Sequence, residues 1–293
     1  MTGATGFIGR HAAAAARAHG HAVAAYSRRK GADTLPQPPD APHALPETRL
    51  DALVHLAGES LMGLWTQEKR RRIWTSRVDF TEKMVAHLGT WRPENRPKVL
   101  LCASGTGYYG NSGSTPVDES APCGGGFLAE VCQGWENAAR RAEALGMRVV
   151  LLRTSMVLGR DGGGLPLLRR VFGLGLGGRL GSGGQWMSWI HVEDEAALIV
   201  KALETASISG PLNLCSPNPV TNADFTRQLA ATLKRPAFLH VPAFALRLLL
   251  RGGMADEMLL GGQRAVPRAA TEAGHPFAHP ALEGALKALV LPQ

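Results

Sequence analysis

No apolar run in this sequence reaches the ~20 residues of a membrane-spanning helix, and the stretch from Ala243 to Leu250 is broken by Arg247. A membrane partner is therefore not expected. Aromatic residues make up only 6% and no nucleic-acid module is recognisable, so nucleic acid is not an expected partner either. Cysteine occurs four times, at Cys102, Cys123, Cys132 and Cys215, without metal-ligand spacing. That pattern points to free thiols in a reducing, cytoplasmic compartment and to no metal site. Tyrosine is scarcer still, with only Tyr26, Tyr108 and Tyr109. A secretory signal is not expected, because the first residues are taken up by a glycine turn. Positive charge is in excess, at +8, and is densest at Lys69 to Arg72. A basic protein that binds an anionic cofactor, and an anionic small-molecule substrate, fits this balance.

Thr2 to Gly9 read Thr-Gly-Ala-Thr-Gly-Phe-Ile-Gly. Gly3 suits a sharp turn out of a strand, Gly6 lets a pyrophosphate approach the backbone, and Gly9 lets the next helix pack closely. The helix expected over Phe7 to Ala18 would aim its free N–H groups at the phosphates. His21 to Tyr26 reads as a short strand closed by Ser27, Arg28 and Arg29. An acidic residue there would suit NAD; a serine and two arginines suit the 2′-phosphate of NADP.

Strand and helix signals then alternate. Residues 30 to 50 are proline-rich and read as a loop. Strands are expected at Ala52 to Leu56, Val99 to Cys102, Arg148 to Arg153 and Trp189 to Val192. Helices are expected at Thr66 to Leu88, Leu128 to Ala144 and Glu193 to Leu203. Between Gly162 and Gly184, ten of 23 residues are glycine. An apolar stripe from Leu165 to Phe172 still predicts a helix there. Thr221 or Asn222 caps a further helix carrying Phe225, Leu229 and Leu233. The expected fold is α/β: a Rossmann-type doubly wound parallel sheet with its first strand truncated, and a small, mostly helical C-terminal domain. Residues 1–158 and 186–205 form the NADP-binding part; 159–185 and 206–293 form a substrate or lid domain.

Reduction beside a nicotinamide commonly uses a tyrosine with a lysine four residues later on a helix. The single literal match, Tyr26 to Lys30, lies at the adenosine end of the expected cofactor, far from the hydride. As a whole the chain resembles the extended short-chain dehydrogenase/reductases. More narrowly, it resembles their atypical "epimerase family" subgroup of NADP-dependent oxidoreductases with a C-terminal domain of unassigned function. The shared segments are 2–9, Ser-Arg-Arg (27–29), Leu-Ala-Gly-Glu (56–59), Ser-Arg-Val-Asp-Phe-Thr (76–81) and Gly-Tyr-Tyr-Gly (107–110). To these are added 127–136, Arg-Thr-Ser-Met-Val-Leu-Gly (153–159), 183–194 and 216–222.

The resemblance implies cofactor contacts at Gly3, Thr5, Gly6, Phe7, Ile8, Gly9, Ser27, Arg28, Arg29, Leu56, Ala57, Gly58, Glu59, Arg77 and Val157. It also exposes departures. Counting back from Glu136 puts Cys132 at the usual lysine and Leu128 at the usual tyrosine, while Ser104 keeps the serine position and Arg77 replaces an asparagine. Ser104 is then the hydroxyl that orients a substrate oxygen, and Tyr108 or Tyr109 is a proton donor or a packing residue. Arg77 binds an anion or makes a surface ion pair. Glu59 meets ribose, acts as a base or caps a helix. His191 and Asp194 are read as fixing the chain rather than as a substrate-side pair. The functions implied are an NADP-dependent oxidoreductase or epimerase-like enzyme of unknown substrate, or a non-catalytic NADP(H)-binding sensor. A weaker third reading docks the Arg-rich helix on an acidic partner.

A doubly wound sheet puts its first strand at the centre, yet only Met1 precedes the turn. The expectation is a gap between two facing strands, low stability and weak cofactor binding, relieved by a Val/Ile-rich strand ahead of Thr2.

Overall fold

The computed structural model describes residues 1–27, 34–250 and 253–290. Six parallel strands form the main sheet: β1 (Ala25–Ser27), β2 (Thr34–Pro36), β3 (Ala52–His55), β4 (Val99–Gly105), β5 (Arg148–Thr154) and, after a separate parallel pair β6 (Met156–Leu158) and β7 (Trp189–His191), β8 (Gly210–Leu214). Their order is β2-β1, then Thr2 alone, then β3-β4-β5-β8. Strand side chains alternate between two apolar faces, as a sheet covered on both sides requires. Leu53, Leu100 and Leu151 enter one core with Met84, Leu88 and Trp135. Val54, Leu101 and Leu152 enter the other with Ala12, Leu198 and Ile199.

The first helix, α1 (Phe7–Ala18), has the expected bounds. The expected strand at His21 to Tyr26 is shorter, because only Ala25–Ser27 finds ladder partners. Thr34–Pro36 is a strand inside the proline-rich stretch read as a loop. Its proline is tolerated because the strand lies at the sheet edge. The single helix expected from Thr66 to Leu88 is two, α2 (Gln67–Thr75) and α3 (Val78–Gly89). The break falls at Ser76 and Arg77, where Ser76 Oγ turns to accept the N–H of Glu59. Helix α4 (Phe127–Arg140) ends earlier than expected, in a 3-10 turn over Arg141–Leu145. Helix α5 (Val192–Glu204) follows β7, and Thr221 caps α6 (Asn222–Leu233).

Of the segments assigned to the lid, Gly210–Leu214 is instead β8 of the main sheet, and Ala270 packs in the sheet's core; the others share a core of their own. Leu165 and Phe172 meet Phe225, Leu229, Leu282 and Leu286, the last two from α7 (Leu282–Val290). This part is stitched back to the sheet region at several points, two of which stand out. Arg264–Ala265 pairs with Pro116–Val117, and Asp194 accepts the N–H groups of Ala278 and His279 at 2.7 and 2.9 Å. His191 accepts the N–H of Glu193 at the start of α5 and stacks on His279 at 3.7 Å. Both residues are engaged with the chain itself.

Glu195 is 1% exposed, and among the described residues its carboxylate accepts a hydrogen bond from Thr154 Oγ1 alone. Burial pushes its carboxyl up to about 8 from 4.5, little offset by that bond. A folded-state pKa above the unfolded one means that the folded state holds the proton more tightly. The stabilisation is complete below about pH 4.5 and is lost as pH rises through 8. Glu195→Gln is expected to melt near the parent at pH 5 and above it at pH 8.5. The difference should be on the order of a few kcal/mol, and parallel thermal melts at the two pH values measure it.

Candidate functional site

The C-terminal ends of parallel strands form the usual ligand crevice of such a sheet. Four segments meet there: the glycine turn before α1, Leu56 to Glu59 after β3, Ser104 to Tyr109 at and beyond the end of β4, and the start of α4. Two of its three glycines cannot carry a side chain. Gly3 has φ +69°, and a Cβ on it would lie 2.7 Å from the Leu56 carbonyl carbon. A Cβ on Gly9 would lie 2.1 Å from the Gly3 oxygen, so its smallness serves the turn itself more than the sheet. Gly6 differs. Its Cβ would meet only the Gly3 oxygen, at 3.2 Å, with open space beyond. No side chain caps α1 at Gly6. The first N–H groups of α1 and its dipole therefore face the crevice, which fits a pyrophosphate.

Thr5 lies exposed in this turn, between the buried Ala4 and the exposed Gly6. Phe7 leaves the turn for a socket of glycines. A Cβ on Gly159, Gly162 or Gly163 would strike its ring at 2.4, 2.2 or 3.0 Å. Ile8 and Val157 join the same core, so their side chains point away from a ligand. Ser27 ends β1 at the crevice edge; Arg28 and Arg29 lie outside the described residues.

Leu56, Ala57 and Gly58 bring backbone to the crevice wall. Arg77 covers Gly58, whose Cβ would lie 3.0 Å from the guanidinium carbon. It also lies 5.2 Å from the Trp135 ring centroid. Among the described residues no carboxylate is within ion-pair distance of Arg77, and burial lowers its pKa. Glu59 pairs with Lys69 at 2.7 Å, and that hydrogen bond lowers its pKa. It does not cap α2, since Thr66 does.

Ser104 Oγ donates to Glu136 Oε1 at 2.8 Å. Glu136 takes two more bonds from Arg153, at 2.8 and 2.9 Å. Arg153 donates to the Tyr109 oxygen at 3.0 Å, and Tyr109 donates to Asn213 at 2.7 Å. Arg153 also lies 3.5 Å from the centroid of the Tyr108 ring. Ser104, Glu136 and Arg153 are all under 8% exposed. Burial opposes the charge on Arg153, but the Glu136 bonds outweigh it and raise its pKa. Burial pushes the Tyr109 phenol up to about 12 despite Arg153. Of the two tyrosines, Tyr109 is locked in this network, whereas the half-buried Tyr108 hydroxyl has no hydrogen bond among the described residues.

Leu128 touches Gly107, and buried Cys132 lies beside Ser104 and Arg77. Burial pushes the Cys132 thiol up to about 11, so it is neither a thiolate nor a cation near neutrality. Glu257 was not foreseen from the sequence. Its carboxylate accepts the N–H groups of Phe127 and Leu128, at 3.0 and 2.8 Å, and so caps α4 from the C-terminal part. An isolated glutamate offers no signal for such a contact. Arg153 did offer one, since an arginine directly after Val149 to Leu152 on a buried strand requires a carboxylate partner.

Residues 1–215 match the NAD dependent epimerase/dehydratase family, and 241–289 match a domain of unknown function, DUF1731. The epimerase family protein ML0860 of Mycobacterium leprae is 41% identical over 98% of this chain and 93% of its own length. The human epimerase family protein SDR39U1 (isoform 2), solved with NADPH, superposes with a TM-score of 0.90 at 33% identity. That alignment covers 98% of this chain and 97% of the human one. A nucleoside-diphosphate sugar epimerase from Corynebacterium glutamicum gives 0.78 at 31% identity, over 97% of this chain and 56% of that one.

Proposed function

Because the chain belongs to the NAD dependent epimerase/dehydratase family, we propose that it binds NADP(H) in this crevice and acts as an oxidoreductase or epimerase-like enzyme on a small anionic molecule. The observation that carries this reading is the open space at Gly6 against an uncapped helix start. When bound, the nicotinamide supplies or accepts a hydride at a carbonyl or hydroxyl carbon. Gly3 to Gly9 receive the pyrophosphate, and Leu56 to Gly58 line its path. Ser27, Arg28 and Arg29 favour the 2′-phosphate, and the relative solved with NADPH supports that preference. Arg77, with no carboxylate partner, holds a cofactor phosphate or a substrate carboxylate. Ser104 donates its hydroxyl hydrogen bond to Glu136 and so presents lone pairs, which suits a substrate hydroxyl. Tyr108 is the favoured proton donor, because Tyr109 is tied between Arg153 and Asn213.

A second reading has its own observation. Leu128 and neutral Cys132 stand where a tyrosine and a lysine would work, and this supports a non-catalytic NADP(H) sensor. NADPH titration followed by a carbonyl and alcohol substrate panel, read at the nicotinamide absorbance, separates the two. The enzyme reading expects turnover that falls about 100-fold or more in Tyr108→Phe, with NADPH affinity unchanged. Tight NADPH binding with no turnover, indifferent to Ser104→Ala, would leave the sensor.

A further inference from the structure

The positive excess of this chain is concentrated. Residues 162–192 and 225–255 hold eight Lys and Arg and no Asp or Glu, so the whole net charge of +8 resides in them and the rest of the chain is balanced. The same two segments supply seven of the nine large apolar side chains that stand more than half exposed among the described residues. Scattered exposed leucines are ordinary on a protein surface, but a cluster joined to one sign of charge marks a binding face. We propose that this face docks on the surface of an anionic lipid bilayer. Its apolar side chains enter the boundary between headgroups and acyl chains, and its cations meet lipid phosphates.

The fold brings the two segments together. Gly178–Leu180 and Leu239–Val241 pair in parallel. Arg179 and His240 are register partners, and both are exposed, so they stand on the outer face of the pair. Phe238, two residues before His240, continues that face and is exposed. The turn that leads into Gly178 carries the exposed Leu174 and Leu176. Past Pro242 the chain enters the helix Ala243–Leu249, and a Cβ on Gly181 would lie 3.8 Å from that of Ala243. This helix turns Leu246 inward and leaves Phe244 and Leu248, one turn apart, in solvent. Arg170, Arg179, Lys234 and Arg235 are exposed and make no ion pair among the described residues. Arg227 and Arg247 pair with Asp224 and Asp256, and Arg251 lies outside the described residues.

Shape and charge select the occupant. Five of the seven apolar side chains are 71% exposed or more, so they project outward, and a fluid bilayer receives projecting side chains without a matching cleft. Nucleic acid favours flat aromatic stacking, whereas five of the seven are leucines. A second copy related by a two-fold axis would set like charges against each other. No helix among the described residues is long and apolar enough to cross a membrane, and docking on a surface needs none. The expectation of no membrane partner rests on spanning runs, which such docking does not use.

The test pellets the full chain with vesicles of phosphatidylcholine alone or of phosphatidylcholine with phosphatidylglycerol, at about 0.1 M salt. Co-sedimentation is expected with the anionic vesicles, and should be at least about 10-fold weaker with the neutral ones. Arg179→Glu with Arg235→Glu should weaken it about 25-fold or more, and Leu174→Ser with Phe238→Ser about 10-fold. Arg71→Glu with Arg92→Glu makes the same change in net charge outside the face and should leave it within about two-fold. All six side chains are exposed, and thermal melts like the parent's show each variant folded. No readout involves cofactor or turnover, so the docking face stands or falls apart from the proposed activity. An equal loss in the Arg71 and Arg92 variant would overturn it, by reducing the effect to net charge alone. So would a lack of co-sedimentation, whether the chain binds polyglutamate instead or forms a dimer that Phe238→Ser dissolves.

Discussion

Glu136→Gln is expected to destabilise this protein by about 3–5 kcal/mol, the largest loss foreseen for one side chain. Glutamine keeps the volume but removes the charge opposite Arg153, which is 2% exposed. A guanidinium left there has lost both its solvent and its counter-charge. The Coulomb gain in the intact pair is largely offset by desolvation of the two ions, so breaking the pair costs far more than the pair contributes. Glu136→Leu combined with Arg153→Met should therefore recover most of the loss. Tyr109 would still donate to Asn213, while Ser104 would lose its acceptor. Urea unfolding of the parent, the single and the double variant measures this. A double variant no more stable than the single would show that the network contributes more than its charges.

The second large effect is a contrast within the glycine turn. Gly9→Ala places a methyl 2.1 Å from the Gly3 oxygen and 2.8 Å from the Ala4 Cα. Both are backbone atoms, so the turn itself has to move. The expected loss is about 3 kcal/mol, and NADPH binding should disappear with the turn geometry. Gly6→Ala meets only the Gly3 oxygen at 3.2 Å and is expected to change stability by under ~1 kcal/mol. Its methyl nevertheless stands where the pyrophosphate must come closest. A displacement worth ~2–3 kcal/mol weakens NADPH about 100-fold. Thermal melts and NADPH fluorescence titration read the two effects separately. A Gly6→Ala protein that binds NADPH like the parent would place the phosphates elsewhere.

The alternating pattern of the sheet was legible because each strand carries its own signal. Leu100 and Leu101, or Leu151 and Leu152, must serve opposite faces wherever the strand lies. The glycine turn was legible for a similar reason, since Gly3 and Gly9 answer to atoms within a few residues or on the next strand. Ser104 was found by position, but its hydrogen bond to Glu136 was not, because that contact joins a strand to a helix 32 residues later. The break between α2 and α3 was hidden too. Helical propensity runs unbroken through Ser76 and Arg77, and only the tertiary pull of Glu59 and Gly58 turns them aside. Tyr108 and Tyr109 read alike in the sequence. They part in the fold because one ring lies on the face of Arg153 while the other sends its hydroxyl to the guanidinium edge.

The carboxylate of Glu257 has a consequence for how such chains can change over generations. It reaches from the C-terminal part to hold the opening turn of the helix that carries Leu128 and Cys132. Recombination that exchanged the tail for one lacking an acid at this point would leave two amides bare and let that turn unwind. Replacing residues around the crevice is therefore expected to disturb this chain less than exchanging the piece that closes it.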